Sequence, residues 1–314
     1  MKKALIGYTG FVGTNLDKST VFQEKFNSKN IDSIVNSEFG LVINSGVRAE
    51  KFLANKYPEK DLEGIDNLVG ILKKIKTKKF VHISTIDVYN NPLNVDENTT
   101  IDKTKCQPYG LNRLYLEEFV KEQFADYLIV RLPALYGKGL KKNFIYDMRT
   151  KIPSMILGEK FNQLVKDLSM DKANVLKESY DLDGNGNYLY NTNNEITKAD
   201  LINILETIEC TSLVFTDSRS EFPFYDLSNL WSDIEKAIAN NVKVLNISVE
   251  PVSAREIAEN CFNEEFSNII NGRDPVKYDM KSIHYKLFNG ENGYLYTKDD
   301  VVNGINNYLR NGGF

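Results

Sequence analysis

Short apolar runs alternate with longer amphipathic ones through roughly residue 135. KALIG, from Lys3, and LVIN, from Leu41, are almost continuously apolar, and FVHIS, from Phe80, and YLIVRL, from Tyr127, repeat the style. Such runs suit parallel strands covered on both faces, where neither side needs to be polar. Between them the period lengthens. From Pro58, apolar residues fall at Leu62, Ile65, Leu68, Val69, Leu72 and Ile75, one stripe of a 3.6-residue repeat. From Pro108 a second helix is expected to bury Leu111, Leu114, Phe119 and Val120. Strand alternating with helix predicts an α/β, Rossmann-type doubly wound parallel sheet.

The second half is less regular. Residues 155–220 are polar, asparagine-rich and broken up, with one clear helix, TKADLINILETI, in which Thr197 is a candidate N-cap and Asp200 its partner. Regular patterning returns in VKVLNIS, from Val242, in a helix SAREIAENCF, from Ser253, and in a closing helix KDDVVNGINNYL. The expected division is a dinucleotide-binding domain over 1–140, rejoined by later segments such as 240–262, and a smaller α/β substrate-binding region over most of 141–314.

Composition narrows the class. The chain has 314 residues, 42% hydrophobic and 26% charged, and carries a formal charge of −4. That is globular composition, and a mildly acidic chain without a basic block is a poor partner for nucleic acid or a membrane surface. No apolar run reaches the ~20 residues of a membrane span, and the N-terminus turns glycine-rich before a leader's apolar core could form. Three cysteines at unrelated spacings, Cys106, Cys210 and Cys261, imply neither a disulfide framework nor a zinc site. A cytoplasmic protein is expected.

GYTGFVG sets Gly7, Gly10 and Gly13 directly after the first strand and at the start of a helix. A dinucleotide pyrophosphate must come close to the backbone there, and the helix start offers free N–H groups and the positive end of its dipole. Thr9, Phe11 and Val12 complete that loop. NAD sites place a carboxylate at the end of the second strand. Here VFQEKF is followed by Asn27, Ser28, Lys29 and Asn30, and Asp32 reads as the N-cap of the next helix. Ser28 and Lys29 suit a 2′-phosphate, so NADP(H) is favoured over NAD(H).

FVHIST ends in Ser84 and Thr85, and YGLNR places Tyr109 and Arg113 four residues apart, on one face of a helix. With these motifs the sequence resembles the extended short-chain dehydrogenases/reductases, the group of nucleotide-sugar epimerases, dehydratases and reductases. GYTGFVG matches the TGxxGxxG loop and VINSG, from Val42, the fourth-strand motif. HISTIDVY matches the Ser/Thr strand, YGLNR the YxxxK helix, and VRLPALYG, from Val130, the segment after the next strand. The motifs keep the family's order over about 140 residues, while FPFYDL, from Phe222, and VLNIS, from Val244, match only loosely.

The resemblance implies that Thr85, Tyr109 and Arg113 are catalytic, that Asn44, Ser45, Gly46, Tyr109 and Arg113 join the glycine loop around the cofactor, with Arg113 on the nicotinamide ribose, and that Asp87, Lys142 and Asn143 meet a nucleotide sugar. It also implies a small-molecule substrate and a homodimer, with no metal. A free tyrosine has a pKa of about 10. A cation at ~4 Å and an effective dielectric near 20 is worth up to about 4 kcal/mol, roughly three pKa units, which would bring Tyr109 near neutrality. Two positions depart from the family. Its lysine is Arg113, permanently charged, bulkier and planar, and Asp61 stands where an asparagine is usual. Ile86 replaces the acid that the 4,6-dehydratases carry after the threonine, so a ketoreductase or epimerase is expected. The other reading is a dinucleotide-binding regulator or scaffold without turnover. His82 reads as a satisfied core histidine, Cys106 as structural, and DLDGNGNYLYNT, from Asp181, as a polar turn, since Thr192 stands where a calcium loop needs glutamate.

Overall fold

The computed structural model describes residues 2–193 and 196–313. The chain forms two compact units, one of Met1–Gly139, Phe222–Val252 and Lys277–Phe314, the other of Leu140–Glu221 and Ser253–Val276. The expected division near 140 therefore changes in its later part. Phe222–Val252 and Lys277–Phe314 join the first unit, whereas Ser253–Phe262, expected to return there, goes with the second.

The first unit opens with β1 (Lys3–Ile6), α1 (Phe11–Ser19), β2 (Glu24–Phe26) and β3 (Glu38–Asn44). Then come α2 (Lys51–Lys56), α3 (Pro58–Leu72), β4 (Lys76–Thr85), the short β5 (Leu93–Val95), α4 (Pro108–Gln123) and β6 (Tyr127–Leu132). A late strand, Val244–Asn246, pairs beside β6. The six-stranded sheet runs Val244–Asn246, β6, β4, β3, β1, β2, with every neighbouring pair parallel. The chain goes from β1 to β2 on one side and reappears at β3 on the other. The carboxyl ends of β1 and β3 thus flank the switch point where open α/β sheets bind ligands. The VINSG motif lies at the end of the third strand in chain order, because the stretch after β2 is a 3₁₀ turn, Ile31–Ile34. Asp32 lies inside that turn and Asn30 holds the N-cap position expected for it.

The stripes of α3 and α4 account for their docking. Ile65, Val69 and Leu72 of α3 and Leu116 and Val120 of α4 pack with Phe39, Val42, Phe80 and Ile129 of the sheet. Burying each such side chain contributes ~1.5–3 kcal/mol. Ile75 lies beyond the helix, just before β4, yet joins the same core. Leu111 is 38% exposed rather than buried, since the face of α4 that meets the fold carries Tyr109, Arg113 and Glu117 instead. Glu117 is fully buried. It accepts hydrogen bonds from Ser84 at 2.6 Å and from both Nε and Nη2 of Arg131 at 3.0 and 2.6 Å. Arg131 also donates to the Tyr89 hydroxyl at 2.7 Å.

The second unit is more regular than its composition suggests. Besides the helix Lys198–Thr207, capped by Thr197 as expected, it holds α5 (Phe144–Thr150) and the helices Gly158–Asp167 and Met170–Ser179. Phe161, Leu164, Val165 and Leu168 have helical spacing and pack in one core with Leu176, Leu201 and Leu205, a signal hidden by the surrounding polar residues. The Asp181 segment belongs to a hairpin in which Asp183 accepts from the backbone N–H groups of Asn185 and Asn187. The helix from Ser253 is α-helical only over Ala254–Ile257 and widens into a π turn over Ala258–Phe262.

His82, in the middle of β4, is buried as expected but only half satisfied. Its Nδ1 meets the Asn44 amide nitrogen at 3.3 Å, while Nε2 has no partner. Burial pushes its pKa down to about 4, although the Glu117 carboxylate pulls the other way. A folded pKa below the unfolded value gives stability that is present above about pH 6.5 and lost as pH falls toward 4. Between pH 7.5 and 5 the loss should reach about 2 kcal/mol. Chemical denaturation across that range checks this, and a His82→Gln variant with the same slope as the parent would refute it.

Candidate active site

The glycine loop joins the ends of β1 and β3. Gly7 has φ +85°, and a Cβ there would lie 2.5 Å from the Gly46 Cα. A Cβ on Gly13 would lie 2.1 Å from the Gly7 carbonyl oxygen, so both glycines are required by the packing of strand, loop and α1. Gly10 differs. Its φ of −80° suits any residue, and a Cβ there would meet only the Gly7 oxygen, at 3.4 Å. Gly10 is also the N-cap of α1, which has no capping side chain and no acid in its first turn. The first-turn N–H groups of Phe11, Val12 and Gly13 have no intrahelical acceptor by helix geometry, and the dipole favours an anion there. Thr9 lies in the same loop, and Thr14 ties it down by donating to the Tyr8 carbonyl at 3.1 Å.

Asn44 and Ser45 face inward. Asn44 is fully buried and accepts from the Gly46 N–H at 3.1 Å, and the Ser45 hydroxyl donates to the Ile6 carbonyl at 2.9 Å. They shape the floor of the loop. After β2, Asn27 accepts from the Lys29 N–H at 2.9 Å and Asn30 accepts from the Asn27 N–H at 2.7 Å. This pinned turn leaves the Ser28 and Lys29 side chains exposed, with no carboxylate between Phe26 and Asp32.

Thr85 ends β4 and starts the 3₁₀ turn Ile86–Val88, accepting from the Asp87 N–H at 3.2 Å. The start of α4 presses on this turn. A Cβ on Gly110 would lie 2.0 Å from the Asp87 carbonyl oxygen, so only glycine allows the approach. Tyr109 is thereby clamped beside the Thr85 turn, and its N–H donates to Asn55 Oδ1 at 2.9 Å. One turn earlier on α2, Lys51 reaches Asp87 Oδ1 at 2.6 Å and the Tyr278 hydroxyl at 3.2 Å. Burial opposes the charge on Lys51, but Asp87 and Tyr278 outweigh it and hold its pKa at about 12.

Arg113 lies where the spacing puts it, with its guanidinium carbon 4.3 Å from the centre of the Tyr109 ring. Its charge is already matched, however. Nη1 and Nη2 fork onto the Asp61 carboxylate at 2.7 and 2.9 Å, and Nη2 also donates to the Arg48 carbonyl at 2.6 Å. Asn112 donates to the same carboxylate at 2.9 Å. Burial raises the Asp61 pKa, but these bonds outweigh it and hold it below the ordinary value. The two departures in sequence are thus the halves of one ion pair. The expected lowering of the tyrosine pKa is not found: burial pushes Tyr109 above its ordinary value, Arg113 and Lys51 oppose this, and Asp87 adds to it.

Lys142 and Asn143 belong to the second unit, where Asn143 caps α5 by accepting from the Tyr146 N–H at 3.2 Å. Asn55, Lys51 and Tyr278 were missed from sequence. Their partners are distant in the chain, and one lysine among many carries no local signal. Cys106 donates to the carbonyls of Asp102 and Val88 at 3.4 and 3.5 Å. Among the described residues no group of His, Cys, Asp or Glu is arranged to hold a metal, and no helix is long and apolar enough to cross a membrane.

Comparison with solved structures finds whole-chain likeness. A dTDP-4-dehydrorhamnose reductase from Bacillus anthracis in complex with NADP is 17% identical, with a TM-score of 0.62 over 99% of both chains. The dTDP-4-dehydrorhamnose reductase of Clostridium acetobutylicum is 15% identical, with a TM-score of 0.60 over 100% of both. UDP-glucose 4-epimerase from Thermotoga maritima, with UDP-glucose, is 14% identical, with a TM-score of 0.57 over 99% of both. At these identities the likeness establishes the fold. A search of curated proteins gives no match. A sequence profile of the NAD dependent epimerase/dehydratase family matches residues 2–166, a span holding the glycine loop, the Thr85 turn and the Tyr109 helix. The chain belongs to the NAD dependent epimerase/dehydratase family.

Proposed function

We propose that this protein is an NAD(P)-dependent reductase or epimerase of a nucleotide sugar, with Tyr109 as its proton-handling group and Thr85 orienting the same substrate oxygen. The observation that carries this reading is the Gly110 contact, which fixes Tyr109 against the Thr85 turn at the carboxyl end of β4. The structural neighbours, reductases and epimerases of nucleotide sugars, support the substrate class.

A dinucleotide fits the residues present, because Gly10 leaves open a place that a side chain would fill and the α1 N-terminus is uncapped. Gly7, Thr9, Gly10, Phe11, Val12 and Gly13 would hold its pyrophosphate through the backbone, Gly46 would flank it, and Ser28 and Lys29 would meet a 2′-phosphate. When bound, the cofactor supplies or accepts hydride at the sugar carbon. Tyr109 gives a proton to the sugar oxygen, or takes it, as the carbon changes oxidation state. Asp87, held by Lys51, would accept a hydrogen bond from a sugar hydroxyl.

The alternative, a dinucleotide-binding regulator without turnover, draws on the matched Arg113 charge. Turnover separates the two. Tyr109→Phe should leave dinucleotide affinity nearly unchanged while lowering kcat on a ketosugar nucleotide by ~10²–10⁴. Wild type that binds cofactor yet turns over no nucleotide sugar would favour the regulator. Gly10→Ala should melt like the parent, since the fold has room for the methyl group, yet bind NAD(P)H at least about tenfold more weakly. Equal affinity in a titration would remove the pyrophosphate from this loop. If Lys29 meets a 2′-phosphate, Lys29→Ala should weaken NADPH by about tenfold, the scale of one charge-assisted hydrogen bond, and leave NADH untouched. Parallel losses for both cofactors would contradict the NADP(H) preference.

A further inference from the structure

The sequence places a permanent cation one helical turn from Tyr109, and the fold then matches that cation to a carboxylate. Arg113 makes two hydrogen bonds to Asp61, at 2.7 and 2.9 Å, and a third to the Arg48 carbonyl at 2.6 Å. The pair lies inside the protein, with Arg113 3% exposed. It lies under the ring that the proposed function makes its proton-handling group, 4.3 Å from the guanidinium carbon. A bidentate pair seen from the phenol is closer to a dipole than to a charge, so its pull on the hydroxyl, though the largest that opposes burial, is weaker than that of a free cation.

The charged groups that act on Tyr109 are Arg113, Asp87 and Lys51, and each has a partner. On its own helix α4, Arg113 is matched by Asp61 of α3. From α2 comes Lys51, matched by Asp87 of the turn after β4. Further along α4, Glu117 is matched by Arg131 of β6, and the fully buried His82 of β4 is held neutral by burial. The phenol is buried beside two closed ion pairs, and burial outweighs the pull of Arg113 and Lys51.

We propose that Asp61 is a positioning residue for Tyr109: by taking up the Arg113 charge it keeps the phenol protonated, so that the site donates a proton to a carbonyl oxygen rather than removing one from a hydroxyl. This rests on the proposed function for the identity of the reacting group and narrows it to the reducing direction. In that step the ketone carbon of the nucleotide sugar gains hydride from a reduced nicotinamide dinucleotide, the oxygen gains the Tyr109 proton, and the phenolate recovers a proton from water. The ketone is reduced to an alcohol and the dinucleotide is oxidised. An epimerase would have to begin with the phenolate.

The test is made on the full chain without cofactor or substrate. Protein carrying ¹³C at the tyrosine ζ position is titrated by NMR, with the Tyr109 signal identified by its loss in Tyr109→Phe. Asp61→Asn should raise the Tyr109 ionisation constant about tenfold or more, because Arg113 then faces the phenol unmatched. An unmoved midpoint overturns the proposal. Should that variant fail to fold, Asp61→Asn combined with Arg113→Met removes both charges together. If the pair acts as a matched unit, the midpoint stays within about threefold of wild type. A fall in the ionisation constant of tenfold or more would mean that Arg113 acts on Tyr109 as a free cation, and the proposal fails. Absence of turnover in the wild type bears on the proposed function alone, since the titration needs none.

Discussion

The site depends on the polar face of one helix. Tyr109, Arg113 and Glu117 follow one another at four-residue intervals along α4, and each is buried. A helix cannot place charged groups in an apolar interior unless the surroundings supply their partners. Asp61 and the Arg48 carbonyl do this for Arg113, and Arg131 and Ser84 do it for Glu117. Buried ion pairs of this kind add little net stability compared with apolar side chains, but losing one partner typically costs about 3–5 kcal/mol. Their effect is on placement. They allow only one rotation and one height of α4 against β4 and β6, and so fix where the Tyr109 ring lies.

Two glycine contacts complete that placement from the backbone side. Gly110 lets the first turn of α4 touch the Asp87 carbonyl, and Gly7 lets the first loop touch Gly46. Both contacts lie at carboxyl ends of strands, β4 in one case and β1 and β3 in the other. The parallel sheet therefore brings the glycine loop and the start of the Tyr109 helix to one edge without either being near the other in sequence. The short helix α2 steadies the second of them. Asn55 caps the Tyr109 N–H and Lys51 fixes Asp87, so six residues of no evident pattern orient both the start of α4 and the turn after β4.

The local pattern alone determined the strands, the two docking helices and the glycine loop, because each is set by side-chain period or by backbone conformation within a few residues. The family motifs in it also singled out Thr85 and Tyr109, to which the proposed function gives the chemistry, and Arg113. The helix Gly158–Asp167 was equally legible in Phe161, Leu164, Val165 and Leu168 but was masked by its polar neighbours. Which later segments complete the first unit, by contrast, was decided by packing over long separations, as the strand Val244–Asn246 beside β6 illustrates. So was the electrostatic state of the site. A cation next to a phenol in sequence predicts a lowered pKa only if nothing else matches that cation, and Asp61 lies 52 residues from Arg113 in the chain yet within 2.7 Å of it in space. Sequence fixes the identity of a charge, but its effect depends on the burial and the partners around it, and both exist only once the chain has folded.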